Sequence, residues 1–65
     1  MCNFDGFQLS CIDLELEAIP AALAIRYGRL AKRLDLSSNK LCNLSNLRKF
    51  MHLEDLVLDN NRISD

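Results

Sequence analysis

Apolar side chains recur along the chain at an interval of 22 residues. The two clear copies place apolar residues at matching positions: Leu34, Leu36 and Leu41, then Leu56, Leu58 and Ile63. A weaker copy lies 22 residues before the first of these, at Ile12, Leu14 and Ile19. Three copies at one period predict stacked units instead of a single closed core.

Each copy predicts one short strand, because apolar and polar residues alternate within it. In the first copy Ile12 and Leu14 alternate with Asp13 and Glu15. The connector that follows is rich in helix formers over residues 21–27, with Pro20 before them and Gly28 after them. Proline is favoured at helix starts and glycine at helix ends, so about two helical turns are expected there.

After Leu41 the apolar residues recur at every third position: Leu44, Leu47, Phe50, Leu53 and Leu56. An α-helix has a period of about 3.6 and drifts off this spacing, whereas a 3₁₀ turn keeps it. The pattern therefore favours loops and 3₁₀ turns. The alternative is an amphipathic α-helix over residues 44–58, which is disfavoured by Asn and Ser residues at its start and by Asp59, Asn60 and Asn61 at its end.

Two asparagines follow the alternating stretch in register, Asn39 and Asn61. A carboxamide both donates and accepts, so each can satisfy backbone groups that a turn leaves unpaired. The alternative is an ordinary turn asparagine. We expect a structural ladder that stacks like positions of successive copies, with Ile12 on Leu34 on Leu56. Its members are Asn39, Asn61, Leu14, Leu36 and Leu58.

The motif L-x-x-L-x-L-x-x-N-x-L resembles the leucine-rich repeat signature, specifically its 22-residue class, which is similar to the repeats of the protein-phosphatase-1 regulatory subunit. The resemblance implies an α/β solenoid: a short right-handed superhelix with a small parallel β-sheet on its concave side and loops, 3₁₀ turns or a short helix on its convex side. The implied division is a lead-in over 1–8, an atypical repeat over 9–30, a regular repeat over 31–52 and a truncated repeat over 53–65. The lead-in either covers the first open face or frays.

The same resemblance implies that a partner binds on the concave face. The outward strand positions would form columns: Cys11, Arg33 and Asp55; Asp13, Asp35 and Val57; Glu15, Ser37 and Asp59. Asp13 and Asp35 would then lie side by side as like charges, which is unfavourable without compensation. We interpret the face as a mildly acidic patch for a basic partner segment; the alternative is a solvated face without a partner.

Composition narrows the function further. Net charge is −1 with no basic run, which argues against a nucleic-acid partner. No apolar run approaches the length of a membrane span, and the start lacks the features of a signal peptide, so a cytoplasmic protein is expected. The three cysteines, Cys2, Cys11 and Cys42, are odd in number and widely spaced, so reduced thiols are expected.

Enzymatic chemistry finds little support. Cys42 and His52 are the only nucleophile–base pair of their type. Cys42 is expected as a core or semi-buried thiol, and nothing orients the two side chains together. The cysteines and the histidine lack zinc-knuckle spacing, and Gly6 and Gly28 form no phosphate loop. We therefore expect no catalytic residue, no metal and no cofactor.

The sequence thus predicts a protein-interaction module that binds an unidentified protein partner, with self-association through the open repeat ends as a further possibility. Lys40, Arg62, Arg48 and Lys49 are interpreted as solubilising charges. The alternative function is a structural N-terminal cap of a longer leucine-rich repeat protein, without a binding role of its own.

Overall fold

The computed structural model describes residues 2–63. Its elements in chain order are β1 (Asn3–Asp5), β2 (Gln8–Ser10), α1 (Ala21–Tyr27), β3 (Arg33–Asp35), a 3₁₀ turn (Leu47–Lys49) and β4 (Asp55–Val57). The strands form one sheet in the order β1-β2-β3-β4. β1 pairs with β2 antiparallel, whereas β2, β3 and β4 pair in parallel.

The core lies between the sheet and the connectors that run back along its other side. Fully buried apolar side chains come from both layers: Leu9, Cys11, Leu34, Leu36 and Leu41 from the strand side, and Ile19, Ala24, Ala31 and Phe50 from the connectors. Alternation explains the strand contribution, because successive side chains of a strand point to opposite faces. Leu34 is buried while its neighbours Arg33 and Asp35 are only half-buried.

Two local predictions are confirmed. Helix α1 spans Ala21–Tyr27, with Pro20 at its N-cap and Gly28 at its C-cap. The every-third-residue spacing after Leu41 produces a 3₁₀ turn, Leu47–Lys49, so the alternative of one long α-helix over residues 44–58 is wrong. Helix α1 and the 3₁₀ turn contact each other on the connector side of the core, and the backbone of Lys49 packs directly against Gly28.

The predicted fold class is wrong. The chain forms a small four-stranded mixed sheet with one short helix, in place of a right-handed superhelical solenoid with a parallel sheet. The antiparallel β1 forms one edge, and the described residues extend only 27 × 20 × 20 Å. The physical reason is length: three parallel strands and one antiparallel strand fill one compact body before a superhelix can develop.

The register of the first copy is also wrong by three residues. Leu34 pairs with Leu56 as predicted, but Leu34 pairs on its other side with Leu9 instead of Ile12. Ile12 is consequently 47% exposed. The cause is the longer connector that carries α1, which separates β2 from β3 by 25 residues where β3 and β4 are 22 apart.

The expectation of three reduced cysteines is wrong as well. Cys2 and Cys11 form a disulfide, and Cys42 is the free thiol. The two bonded residues flank the antiparallel pair, directly beyond Asn3 and its partner Ser10. The disulfide therefore ties β1 to the sheet, and the cytoplasmic location expected from reduced thiols loses that part of its support.

The predicted segment boundaries fit the elements unevenly. The lead-in over 1–8 contains β1, and its boundary with the next segment falls inside β2. The ring of Phe4 in β1 stacks on Tyr27 at the end of α1, with 4.7 Å between ring centroids. Met1 of the lead-in and Ser64 and Asp65 of the truncated repeat lie outside the described residues. No helix within residues 2–63 combines the length and the apolar character needed to cross a membrane.

Candidate functional site

The candidate site is the face of the sheet that points away from the core, called here the outer sheet face. It consists of six side chains in two rows across the parallel strands: Gln8, Arg33 and Asp55, then Ser10, Asp35 and Val57. Each row crosses β2, β3 and β4 in register. The residues between them in β2 and β3, Leu9 and Leu34, are fully buried on the core side of the sheet. The backbone that carries the six side chains is therefore fixed by the core.

Polar contacts link several of these side chains. In the first row Arg33 Nη1 lies 3.9 Å from Asp55 Oδ2, with both side chains well exposed. Such a pair contributes little to stability, since water and salt screen it. In the second row Asp35 Oδ1 accepts two hydrogen bonds from Ser37, one from its backbone N–H at 3.1 Å and one from its hydroxyl at 2.6 Å. Gln8 Nε2 donates to Ser10 Oγ at 3.0 Å.

Of the eight residues predicted to bind a partner, six lie on or beside this face. Arg33, Asp35, Asp55 and Val57 belong to it, and Ser37 and Asp59 follow β3 and β4 at its end. Asp13 and Glu15 do not join them, because the register shift carries both into the loop after β2. There both have positive φ, and Glu15 Oε1 lies 3.3 Å from Lys40 Nζ.

The predicted columns are therefore wrong in the members taken from the first copy. In the first column Gln8, not Cys11, lies beside Arg33. In the second column Ser10, not Asp13, lies beside Asp35, so the expected like-charge pair does not form. Cys11 is buried in the core at 0% exposure and takes no part in the face. Gln8 and Ser10 were not predicted to lie on this face. The signal that finds them is the motif L-x-C-x-x-L-x-L over residues 9–16, in which Cys11 counts as a buried apolar residue.

Asn39 fixes the corner where the chain leaves β3. Its Oδ1 accepts from the N–H groups of Leu14 and Leu16 at 2.9 and 3.1 Å. Its Nδ2 donates to the carbonyls of Cys11, Leu36 and Ser37 at 2.7, 3.0 and 3.2 Å. One side chain that is 6% exposed thus joins two successive strands and their loops.

Asn61 repeats this arrangement one strand later. Its Oδ1 accepts from the N–H of Leu41 at 3.0 Å, and its Nδ2 donates to the carbonyls of Leu36 and Leu58 at 2.8 and 3.0 Å. In the first copy the matching position holds Leu14, whose backbone N–H is a partner of Asn39. The register places Leu36 beside Cys11, so the predicted stacking of Leu14 on Leu36 is wrong.

The two residues considered for nucleophilic catalysis, Cys42 and His52, both lie on the surface. Cys42 is exposed, contrary to the expected core or semi-buried thiol, and its Sγ lies 3.8 Å from the carbonyl oxygen of Glu17. His52 is exposed in the connector before β4. Across residues 2–63 no set of three or more His, Cys, Asp or Glu side chains is arranged to hold a metal ion. That part of the chain also contains no pocket.

Comparisons of the chain with protein-family models, with curated proteins and with solved structures find no match. The leucine-rich repeat resemblance therefore remains a prediction from the residues of the motif.

Proposed function

We propose that this chain is a non-enzymatic protein-interaction module, related to the leucine-rich repeat family, that binds a protein partner on the outer sheet face. One observation carries the proposal. Strands β3 and β4 present Arg33, Asp35, Asp55 and Val57 side by side in register, above a backbone held by buried leucines and by Asn39. A preorganised surface of this kind loses little conformational entropy when it binds.

The chemistry of the face suggests the chemistry of the partner. Asp35, Asp55 and nearby Asp59 carry three carboxylates against the single guanidinium of Arg33. Val57 is half-buried between them and offers an apolar contact. We infer an extended partner segment that carries basic side chains around one small apolar residue, since charge complementarity favours the correct partner and speeds its association.

Site-specific photo-cross-linking tests the proposal. A photoreactive amino acid at Val57 samples the outer sheet face, and the same group at Ala22 on the exposed side of α1 is the matched control. We expect a specific protein adduct from position 57 only. The purified partner should then bind Asp35→Lys at least tenfold more weakly, with less than a twofold change for Glu17→Lys. Equal losses for the two variants would contradict the proposal.

A second candidate function is structural: the chain closes one end of a larger parallel sheet. The disulfide-bonded strand β1 covers the β2 side of the three parallel strands, while no strand within residues 2–63 pairs with the other side of β4. Along the stacked row Leu9, Leu34 and Leu56, exposure is 0%, 0% and 39%. Equivalent side chains are thus buried where a further strand covers them and exposed at β4, where none does.

The same cross-linking experiment separates the two functions, because Leu56 and Val57 are adjacent residues with opposite roles. In an interaction module the partner adduct forms at position 57 and survives Leu56→Ser. In an end-closing module the partner contacts the β4 edge, so Leu56→Ser abolishes binding and Asp35→Lys leaves it unchanged.

A further inference from the structure

The three connectors that lead into the parallel strands lie side by side at one end of the sheet. The N–H of Lys32 donates to the carbonyl of Phe7 at 2.7 Å, and the N–H of Glu54 donates to the carbonyl of Lys32 at 2.7 Å. The N–H of Met51 donates to the carbonyl of Gly28 at 2.9 Å. Helix α1 ends at this side too, because Tyr27 leads directly into the connector before β3.

These connectors carry the most exposed large apolar side chains of the described chain. Phe7, Leu30 and Met51 are 56%, 57% and 64% exposed, one from each connector, and Ile25 near the end of α1 is 78% exposed. Five of the chain's eight basic residues accompany them: Arg26, Arg29, Lys32, Arg48 and Lys49. We call these nine residues the basic–apolar face.

Within residues 2–63 no basic residue of this face forms an ion pair with a carboxylate. The ion pairs within residues 2–63 are Arg33 with Asp55 and Lys40 with Glu15, and neither includes a residue of the basic–apolar face. Four of the chain's nine acidic residues lie in the loops at the opposite end of the parallel strands: Asp13, Glu15, Glu17 and Asp59. Asp5 and Glu54 lie beside the basic–apolar face, where the five basic residues outnumber them. The molecule is therefore electrically polarised along its strands, although its net charge is only −1.

We propose that the basic–apolar face docks on the surface of an anionic lipid bilayer. Its apolar side chains protrude one from each segment and surround no pocket in the described chain. A bilayer accepts protruding apolar side chains at any point of its interface, whereas an acidic peptide would need a matching pocket for each of them. Anionic headgroups attract the surrounding arginines and lysines, and burial of the apolar tips adds to that attraction.

This docking fixes the orientation of the molecule. The acidic loops at the opposite end are repelled by the headgroups and point into the solvent. The outer sheet face then stands beside the bilayer, so a protein partner reaches it without displacing the lipid. The inference is thus independent of the proposed protein-binding function.

Vesicle co-sedimentation of the purified chain tests the inference. We expect the chain to sediment with vesicles of phosphatidylcholine containing phosphatidylserine, and to stay in the supernatant with phosphatidylcholine alone. Added salt should weaken the binding, because screening shortens the range of the attraction. No sedimentation with anionic vesicles at low salt would overturn the proposal.

A pair of matched charge reversals then locates the contact. Arg29→Glu combined with Lys49→Glu changes the basic–apolar face, and Lys40→Glu combined with Arg62→Glu changes the opposite end by the same net charge. We expect the first pair to lower the partition coefficient at least tenfold and the second less than twofold. Equal effects overturn the proposal, and circular dichroism of both double variants checks that each remains folded.

Tryptophan fluorescence measures insertion of the apolar side chains separately. The chain contains no tryptophan, so a single introduced one reports only its own position. The emission of Met51→Trp should shift to the blue when anionic vesicles are added, whereas the emission of Ile12→Trp, on the loop after β2, should not shift. An equal shift of Met51→Trp with soluble polyglutamate, without vesicles, would show an acidic protein segment as the occupant and overturn the lipid proposal.

Discussion

Asn39 shows how much of the fold depends on one side chain. Its carboxamide makes five hydrogen bonds to backbone groups, three in the segment after β2 and two directly after β3. No apolar residue of similar size can replace both its donors and its acceptor. Removing it leaves several buried backbone groups without partners, and each such group costs about 1–3 kcal/mol.

We therefore predict that Asn39→Leu lowers the free energy of unfolding by about 2–4 kcal/mol, which is most of the stability expected for a chain of this size. Asn43→Leu is the control, because Asn43 is exposed and bonds only to Ser45 nearby. Urea titration followed by circular dichroism measures both variants. A change at Asn39 no larger than the change at Asn43 would show that the ladder bonds are not needed.

Gly28 is required for close packing and not for an unusual backbone angle, since its φ is −58°. A Cβ added there would collide with the backbone oxygens of Ala24 and Lys49. We predict that Gly28→Ala costs about 1–3 kcal/mol, because α1 and the 3₁₀ turn must move apart. At Gly6 a Cβ meets nothing within 4 Å, although φ is +65°. Thermal melts should rank Gly28→Ala below Gly6→Ala.

Among the elements, β1 is the one most dependent on a covalent bond. It is a three-residue edge strand, paired on one side only and linked to the sheet by the Cys2–Cys11 disulfide. Its other support is the stacking of Phe4 on Tyr27. A short edge strand with so few contacts opens more easily than the strands inside the sheet.

We predict that Cys2→Ser lowers the free energy of unfolding by about 2–3 kcal/mol, in line with loss of a short cross-linked loop, and speeds amide exchange over residues 3–7. Cys42→Ser should leave both quantities unchanged, because the Cys42 thiol is exposed and unbonded to another cysteine. Melts of the wild-type chain with and without dithiothreitol provide the second control. A melting temperature insensitive to the reductant would contradict the prediction.

The sequence predicted some elements better than others, for physical reasons. Helix α1 was predictable because Pro20 and Gly28 mark both of its ends, and the 3₁₀ turn because a period of three excludes an α-helix. The strand after Gly6 was misplaced because two neighbouring runs show the same alternation. Ile12 and Leu14 alternate with acidic residues, and Leu9 and Cys11 are separated by Ser10 in the same way. A short alternating run does not fix its own register; pairing with Leu34 does.

At the scale of the whole molecule the two edges of the sheet are unequal. Antiparallel β1 covers the β2 side of the parallel strands, where Leu9 is buried, while Leu56 and Ile63 at the β4 side remain 39% and 38% exposed. An open edge with exposed apolar side chains is a template for pairing with another chain. No local pattern in the sequence predicts this inequality, because it depends on which strand ends up outermost.

We predict concentration-dependent self-association of the purified chain through β4, which sedimentation velocity measures directly. Leu56→Lys should keep the chain monomeric at every concentration tested, because it places a charge at the open edge. Ile25→Lys is the control, since Ile25 is more exposed but lies on α1. Association that Leu56→Lys leaves intact would place the contact elsewhere.

The corners that follow the parallel strands share a left-handed backbone residue. Asp13, Ser38 and Asn60 have φ of 57°, 58° and 57°, and each lies at the same place relative to its strand. Three chemically different side chains in one conformation show that the backbone geometry, and not the side chain, is what the corner requires. Glycine adopts this geometry without steric cost, so substitution by glycine at these corners is a route to a more thermostable variant of the protein.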